Sequence, residues 1–490
     1  MAFSLPAVGG RTVVTVLPDK TSGEPELIRL FFYYTPGGED EETVTIRLSD
    51  HFTYKKLLRF VLPSVVMMVF TSVYGVVDGL FVSNFVGKTP FAAINLVMPF
   101  IMVLGGVGFM VGTGGSALVG KTLGEGDRER ADRYFTMMVW LTVLLGVLTS
   151  VVGIVLMPQI SVWLRATPEM LPYCVQYGRT VLAFNMAFML QNVFQSFFVT
   201  AEKPRLGLLA TVAAGVTNMV LDALFIAVFD WGVVGAAVAT GISQCVGGLL
   251  PLVYFLRRNS SLLRLRRTRL QLRPLLQACA NGSSELMSNI SSSLVGALYN
   301  WQLIRLAGEN GVAAYGALMY VQFIFVAIFI GYSVGSAPIV SYHYGAGNTD
   351  EVRNVLRKSL RLMGVVGAAM VALALLLAMP LSRIFVGYDA ELLAMTHHAF
   401  RTTAVSFLLV GFNIYASSFF TALNNGGVSA AISFLRTLVF QAASVLLLPI
   451  WFDLDGIWWA VTVAEVCALL LSTLFLLLNR RRYGYGWCSA

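Results

Sequence analysis

Charge is scarce in this chain. Only 12% of its 490 residues are Asp, Glu, Lys or Arg, about half the share of a soluble globular protein, so water is not its main solvent. Cysteine and histidine are scarce as well. The five cysteines (Cys174, Cys245, Cys279, Cys467, Cys488) contain no CxxC pair, which argues against a zinc site or a disulfide framework. Most of them lie in apolar segments, where a thiol behaves as a small hydrophobe. The four histidines (His51, His343, His397, His398) join no cysteine or carboxylate at a ligand spacing, and the adjacent pair reads as a solvated loop element. No nucleophile or metal constellation sits in the apolar segments, which argues against a membrane enzyme. No repeated filter sequence marks a channel, and no charged n-region leads into an apolar run as in a signal peptide.

What is abundant is hydrocarbon, at 57% apolar residues, gathered into runs with few charges. Runs of roughly 20 to 30 residues are long enough to cross a ~30 Å hydrocarbon layer. They predict an all-α integral membrane protein with twelve transmembrane helices, near 57–82, 91–119, 135–157, 172–200, 206–229, 233–256, 275–305, 312–341, 358–379, 397–422, 428–451 and 456–479. Residues 1–50, polar and without a spanning run, read as a poorly ordered cytoplasmic extension. Residues 51–257 form one lobe, 258–274 a basic cytoplasmic linker, 275–480 a second lobe and 481–490 a cytoplasmic tail.

Alternate connections carry the positive charge. One side holds Lys55, Lys56, Arg59, Lys121, Arg128, Arg130, Arg133, Lys203, Arg205, the cluster Arg257–Arg273, Arg353, Arg357, Lys358, Arg361 and Arg480–Arg482; the other holds little beyond Lys88, Arg165, Arg305 and Arg383. The positive-inside rule makes the first side, with both termini, cytoplasmic. The net charge of +8 follows from that arrangement, and the arginine cluster between two spans reads as a topology anchor beside anionic lipid, with no role in nucleic-acid binding.

The two lobes are repeats. At an offset of 221 residues Gly87 and Ala92–Ala93 fall on Gly308 and Ala313–Ala314, Gly124 and Gly126 on Gly345 and Gly347, Asn192 on Asn413, Thr200–Ala201 on Thr421–Ala422, and Gly235 on Gly456. Six spans per repeat place the halves in the same orientation, related by an axis along the membrane normal, as in transporters that hold solute between two rocking lobes. The glycine-rich ends of spans two and eight lack the P-loop spacing and read as surfaces for close helix packing.

A charge at the bilayer centre costs at least about 2.5–3.5 kcal/mol, so ionisable residues inside spans are functional candidates. Asp78, Asp222, Glu285, Arg436 and Glu465 meet that description. Asn218 and Asp222, four apart, share one helix face. Two carboxylates and neutral oxygens facing one cavity suit Na⁺ or a shared proton, because loading the ion relieves their mutual repulsion. Arg436 and Glu465 either pair with each other or meet a ligand. Glu285 lies near polar Asn281, Ser283 and Ser284 and reads either as a functional acid or as a solvated one.

Several motifs in order give a family resemblance over residues 51–480: LPSVVMMVFTSVYGVVDGLFVSNFVG in span one, GTGGSALVGKTLGEGDRERADR after span two, NMVLDALFI in span five, GVVGAAVATGISQ in span six, NGSSELMSNISSSLVGALYN in span seven and SAPIVSYHYGAGN in span eight. The chain resembles the multidrug and toxic compound extrusion (MATE) transporters. That resemblance implies a V-shaped, pseudo-twofold arrangement of two six-helix lobes and an amino-lobe cation site at Asp78, Asn218, Asp222 and Thr240. It also implies export of organic, often cationic, compounds in exchange for Na⁺ or H⁺, and a bacterial plasma (inner) membrane with no cofactor is the matching expectation. A monomer is expected because each chain already contains both lobes. Glu285, Asn192, Asn413 and Arg436 stand as substrate or carboxy-lobe candidates. The sequence departs from the NorM-like branch, since span ten offers Asn413 where that branch has an acid, which favours coupling in the amino lobe. A lipid-linked precursor flippase of the same superfamily is the alternative, and would call for a more cationic central cavity.

Overall fold

The computed structural model of the protein describes residues 46–257 and 259–486, apart from the side chains of Leu80, Asn84 and Lys88. Residues 1–45 of the expected extension, Arg258 and Cys488 lie outside the described residues. Twelve helical spans follow, in two sets of six. The first set is α1 (Tyr54–Phe85), α2 (Lys88–Gly124), α3 (Arg128–Trp163), α4 (Leu171–Ala183 and Asn185–Thr200), α5 (Pro204–Asp222) and α6 (Gly232–Leu256). A helix over Leu272–Gly345 breaks at Gly308, where φ is 60°, into α7 (272–307) and α8 (309–345). The second set continues with α9 (Thr349–Val386), α10 (Ala390–Ala404 and Phe407–Ala422), α11 (Gly426–Phe434 running through a π-helical Leu435–Phe440 into Gln441–Leu447) and α12 (Pro449–Asn479). The two halves of α4 meet at 53° and those of α10 at 50°.

The side-chain pattern of α3 is that of a helix solvated by lipid. Leu144, Leu148, Val151 and Val155 are exposed along one stripe, while Thr136, Thr142, Gly146, Ser150 and Gly153 are buried on the opposite face. Outward hydrocarbon and inward small or polar residues invert the soluble pattern, and small inward residues let neighbouring helices approach. The basic connection between the lobes follows α3: Arg264 N donates to Asp132 Oδ1 (3.0 Å), Arg266 N to Thr136 Oγ1 (3.0 Å), and the Arg266 guanidinium meets Asp132 Oδ2 at 3.1 Å.

Local geometry repeats at the same offset as the sequence. Asp127 and Asn348 cap the helices α3 and α9 by accepting from Arg130 N and Glu351 N, each preceded by a glycine in the left-handed region, Gly126 (φ 83°) and Gly347 (φ 71°). The break in α4 at Phe184 corresponds to the break in α10 at Val405.

The repeat axis passes through the lobe contact. Gly124 of α2 packs on the carbonyl of Tyr342, and Gly345 of α8 packs on the carbonyl of Lys121, so each half of the contact is the other shifted by 221 residues. On the axis itself Gly120 faces its own repeat mate, Ser341. One level deeper, Gly114 of α2 lies on the Ala278 carbonyl of α7, and Gly282 lies on the Met110 carbonyl. The mated contact, α8 on α1, puts Gly335 against Val61 and Ser64. These approaches lie in the half of the bundle that carries the basic connections, here called the basic end. In the other half a Cβ placed at Gly75, Gly296 or Gly316 would meet nothing within 4 Å.

A Cβ at residue 282 has no room against the Met110 backbone, and overpacking of this kind costs about 1–3 kcal/mol. Gly282→Ala therefore lowers the melting temperature of the purified protein, whereas Gly316→Ala, which meets open space, leaves it unchanged or raises it. Equal melting temperatures for the two variants would contradict the packing described here.

Candidate cation site

In the first lobe α1 supplies Tyr74 and Asp78, α4 supplies Tyr177 and Gln191, and α5 supplies Asn218 and Asp222. The spacing of four brings Asn218 and Asp222 onto one inward face, where they are 1% and 0% exposed. Asp78 interacts with both Asp222 and the Asn218 amide, although none of the contacts reaches hydrogen-bond geometry. The result is a cluster of orphaned buried atoms: Asp78 Oδ1, both oxygens of Asp222, and Oδ1 and Nδ2 of Asn218 have no hydrogen-bond partner. Oγ1 of Thr240, on α6, is also buried without a hydrogen-bond partner. Tyr177 is within electrostatic range of both carboxylates, with its hydroxyl 3.9 Å from Met98 Sδ, and Tyr74 is near Gln191 and Asp78.

No ion pair among the described residues includes Asp78 or Asp222. An acid closed into a low-dielectric interior beside a second acid, with no countercharge, is poorly solvated and repelled by its neighbour. Oxygen-only donors of this kind fit a hard monovalent cation, or a proton held between the acids. Among the described residues no group of three or more His, Cys, Asp or Glu could hold a metal ion. Asp222 is also the last residue before a π-helical turn, Ala223–Val228. Such turns are frequent at functional sites, and the second lobe carries one as well, at Leu435–Phe440.

The second lobe resolves its charges differently. At the 221 offset Asp78, Asn218 and Asp222 correspond to Tyr299, Val439 and Ala443, while Arg436 and Glu465 stand where the first lobe has Gly215 and Gln244. Arg436 Nε lies 2.9 Å and 3.1 Å from the two carboxylate oxygens of Glu465. Asn413 Nδ2 donates to Glu465 Oε2 (2.7 Å), and Ser472 Oγ donates to Asn413 Oδ1 (3.1 Å). The open question of whether Arg436 and Glu465 pair is thus settled in favour of pairing. Glu285 on α7 is partly exposed and faces the Arg436 charge. Asn192, the repeat mate of Asn413, donates to the Gly105 carbonyl of α2 (3.3 Å), so the amide nitrogens of both asparagines are spent inside their own lobes.

Tyr74, Tyr177, Gln191 and Ser472 were not singled out from the sequence. Tyr74 lies one helical turn before Asp78, and Gln191 is a polar residue inside an apolar run, so both carried a usable signal. The tyrosine on α4 and the two π-helical turns carried none. The HisHis pair requires a correction: no breaker interrupts residues 390–404, so both histidines lie in α10, and His398 Nε2 is 2.8 Å from Asp455 Oδ1.

Comparison with known proteins gives one family. The MatE family model matches residues 63–224 and 286–446, one stretch in each lobe. The multidrug export protein MepA of Staphylococcus saprophyticus is 25% identical over 431 residues, covering 87% of this chain and 94% of that protein. MepA of Staphylococcus haemolyticus is 23% identical over 420 residues, covering 85% and 92%. Among solved structures, an outward-facing multidrug resistance MATE family transporter of the MOP superfamily superposes with a TM-score of 0.85 at 23% identity, over 91% of this chain and 100% of that one. A MATE protein in complex with MaL6 gives 0.83 at 22%, over 94% and 99%. At these identities the likeness establishes the fold.

Removing one partner of a buried ion pair strands the other, at about 3–5 kcal/mol. Arg436→Met and Glu465→Gln should each lower the melting temperature of the purified protein, and the double variant should lose less than the two single losses summed. Additive losses in that cycle would show that the pair is not coupled.

Proposed function

The chain belongs to the MatE family, and from that premise we propose that it is a secondary active antiporter that exports organic, often cationic, compounds in exchange for Na⁺ or H⁺. The observation that carries this reading is the pair of neighbouring carboxylates, fully buried Asp222 and half-buried Asp78: both oxygens of Asp222 and Oδ1 of Asp78 are buried without a hydrogen-bond partner, and no ion pair among the described residues includes either acid. A transported cation is the missing countercharge. Asn218 and Thr240 would add neutral oxygens on its other sides.

In the cycle, the cation enters from the outside and occupies the first-lobe site, which favours release of substrate outward. Return with new substrate from the inside requires the cation to leave. Coupling exists because ion and substrate favour different arrangements of the lobes. The basic end is the cytoplasmic end by the positive-inside rule, so the packed contact between α2 and α8 corresponds to closure towards the cytoplasm. The chain would act as a monomer in a bacterial plasma membrane, since each copy already contains both lobes. A flippase for lipid-linked pyrophosphates would need free cationic charge between the lobes, and Arg436 is instead neutralised by Glu465.

The test is efflux of ethidium from proteoliposomes under Na⁺ and proton gradients imposed separately. One gradient drives efflux in the wild type, and Asp78→Asn and Asp222→Asn each reduce it to the passive leak while inserting normally. Undiminished gradient-driven efflux by Asp222→Asn would overturn the assignment.

A further inference from the structure

The short segment before α1 lies outside the residues matched by the family model, which begins at residue 63, yet it is bonded to both lobes. On the first-lobe side Leu48 N donates to Glu202 Oε1 at 2.6 Å, in the turn between α4 and α5. Leu48 itself is fully buried, and burial pushes the Glu202 carboxyl above its ordinary range against the bond from Leu48. On the second-lobe side, Glu351 in the first turn of α9 is 5% exposed and receives three donors: Phe52 N (2.9 Å), His51 Nδ1 (2.6 Å) and Asn354 Nδ2 (2.8 Å). The Phe52 carbonyl in turn accepts from Asn354 Nδ2 (3.1 Å) and Lys358 Nζ (2.5 Å). The Phe52 ring is fully buried and stands edge-on to His343 of α8, with centroids 6.4 Å apart.

Residues 48–52 therefore cross the basic end from one lobe to the other. Because the chain continues directly into α1 of the first lobe, separating the lobes there must break the bonds on α9. Hydrogen bonds to an ionised group are roughly twice as strong as neutral ones, and a carboxylate stripped of its donors while still buried is penalised further.

We propose that Glu351 is a positioning residue for the transport cycle, the acceptor of an interlobe latch formed by residues 48–52 that sets how readily the basic end opens. This rests on the alternating-access reading above and adds to it the residue that biases the equilibrium.

Ser341 gives the reporter. It is fully buried against Gly120 at the centre of the lobe contact, so a cysteine placed there reacts with a membrane-impermeant maleimide from the basic side only when the lobes part. The rate is measured in membranes for Ser341→Cys, with the parent lacking that substitution as background and with neither ion gradient nor substrate present. Adding Glu351→Ala raises the rate by about tenfold or more, as the loss of several charge-assisted bonds requires. Adding Glu351→Asp restores slow labelling in large part, which generic destabilisation would not do. His51→Ala, at a side chain 69% exposed, removes one donor without touching the core and gives a smaller rise; it decides the matter if Glu351→Ala fails to fold. Labelling unchanged in Glu351→Ala, or in a Glu351→Ala-independent comparison of His51→Ala and Lys358→Met, overturns the latch. Because labelling needs neither ion nor substrate, failure of ion-driven efflux would count against the antiporter reading and leave this result standing.

Discussion

Hydrocarbon cannot solvate a charge, and a chain that buries ionisable groups among its spans must give each a countercharge from within or accept one from outside. The two lobes take opposite courses. In the second, Glu465 is closed by the Arg436 guanidinium and the Asn413 amide. In the first, no guanidinium pairs with Asp78 or Asp222, and Asp78 Oδ1 and both Asp222 oxygens have no hydrogen-bond partner. This is where two repeats that otherwise share caps, breaks and packing contacts part company, and it is the difference on which the proposed first-lobe cation site rests. The position of the acids is no accident of a polar surface, since Asp222 is wholly buried.

The symmetry of the repeats has its own mechanical consequence. The lobes touch through α2 and α8, where Gly120 meets its mate Ser341, and Gly124 and Gly345 pack on each other's helices. A contact of backbone on backbone along a twofold axis can part and re-form as a unit, without repacking either lobe. Closely packed surfaces favour such discrete arrangements over continuous deformation. Inside the lobes the buried asparagines are bonded to backbone or carboxylate, Asn192 to the Gly105 carbonyl and Asn413 to Glu465.

The spans, the repeat and the two acids were legible because each rests on a local or periodic signal. Apolar length marked every span, and the structure extends most of them by a turn or more, as where α9 begins at Thr349 ahead of the apolar run. Asn218 and Asp222 were legible as a face because a helix fixes their spacing. What stayed hidden depends on contacts between segments far apart in sequence. Nothing near Ser472 announces that its hydroxyl holds Asn413. Residues 1–50 read as a poorly ordered extension, but Leu48 within them is fully buried against the helices, as is Phe52 just beyond them. The π-helical turns beside Asp222 and at Arg436 leave no mark in composition.

In the proposed antiport, ion and substrate act on one protein through the first-lobe carboxylates, so their affinities must be linked reciprocally. The most direct measurement is equilibrium binding of a fluorescent organic cation to the purified protein, titrated against Na⁺ at fixed pH and against pH at fixed Na⁺. Affinity is predicted to fall in the wild type as one of these two ions is raised, and to be independent of both in the Asp78→Asn/Asp222→Asn double variant. Binding that ignores both ions in the wild type, or that keeps its ion dependence in the double variant, would contradict the account.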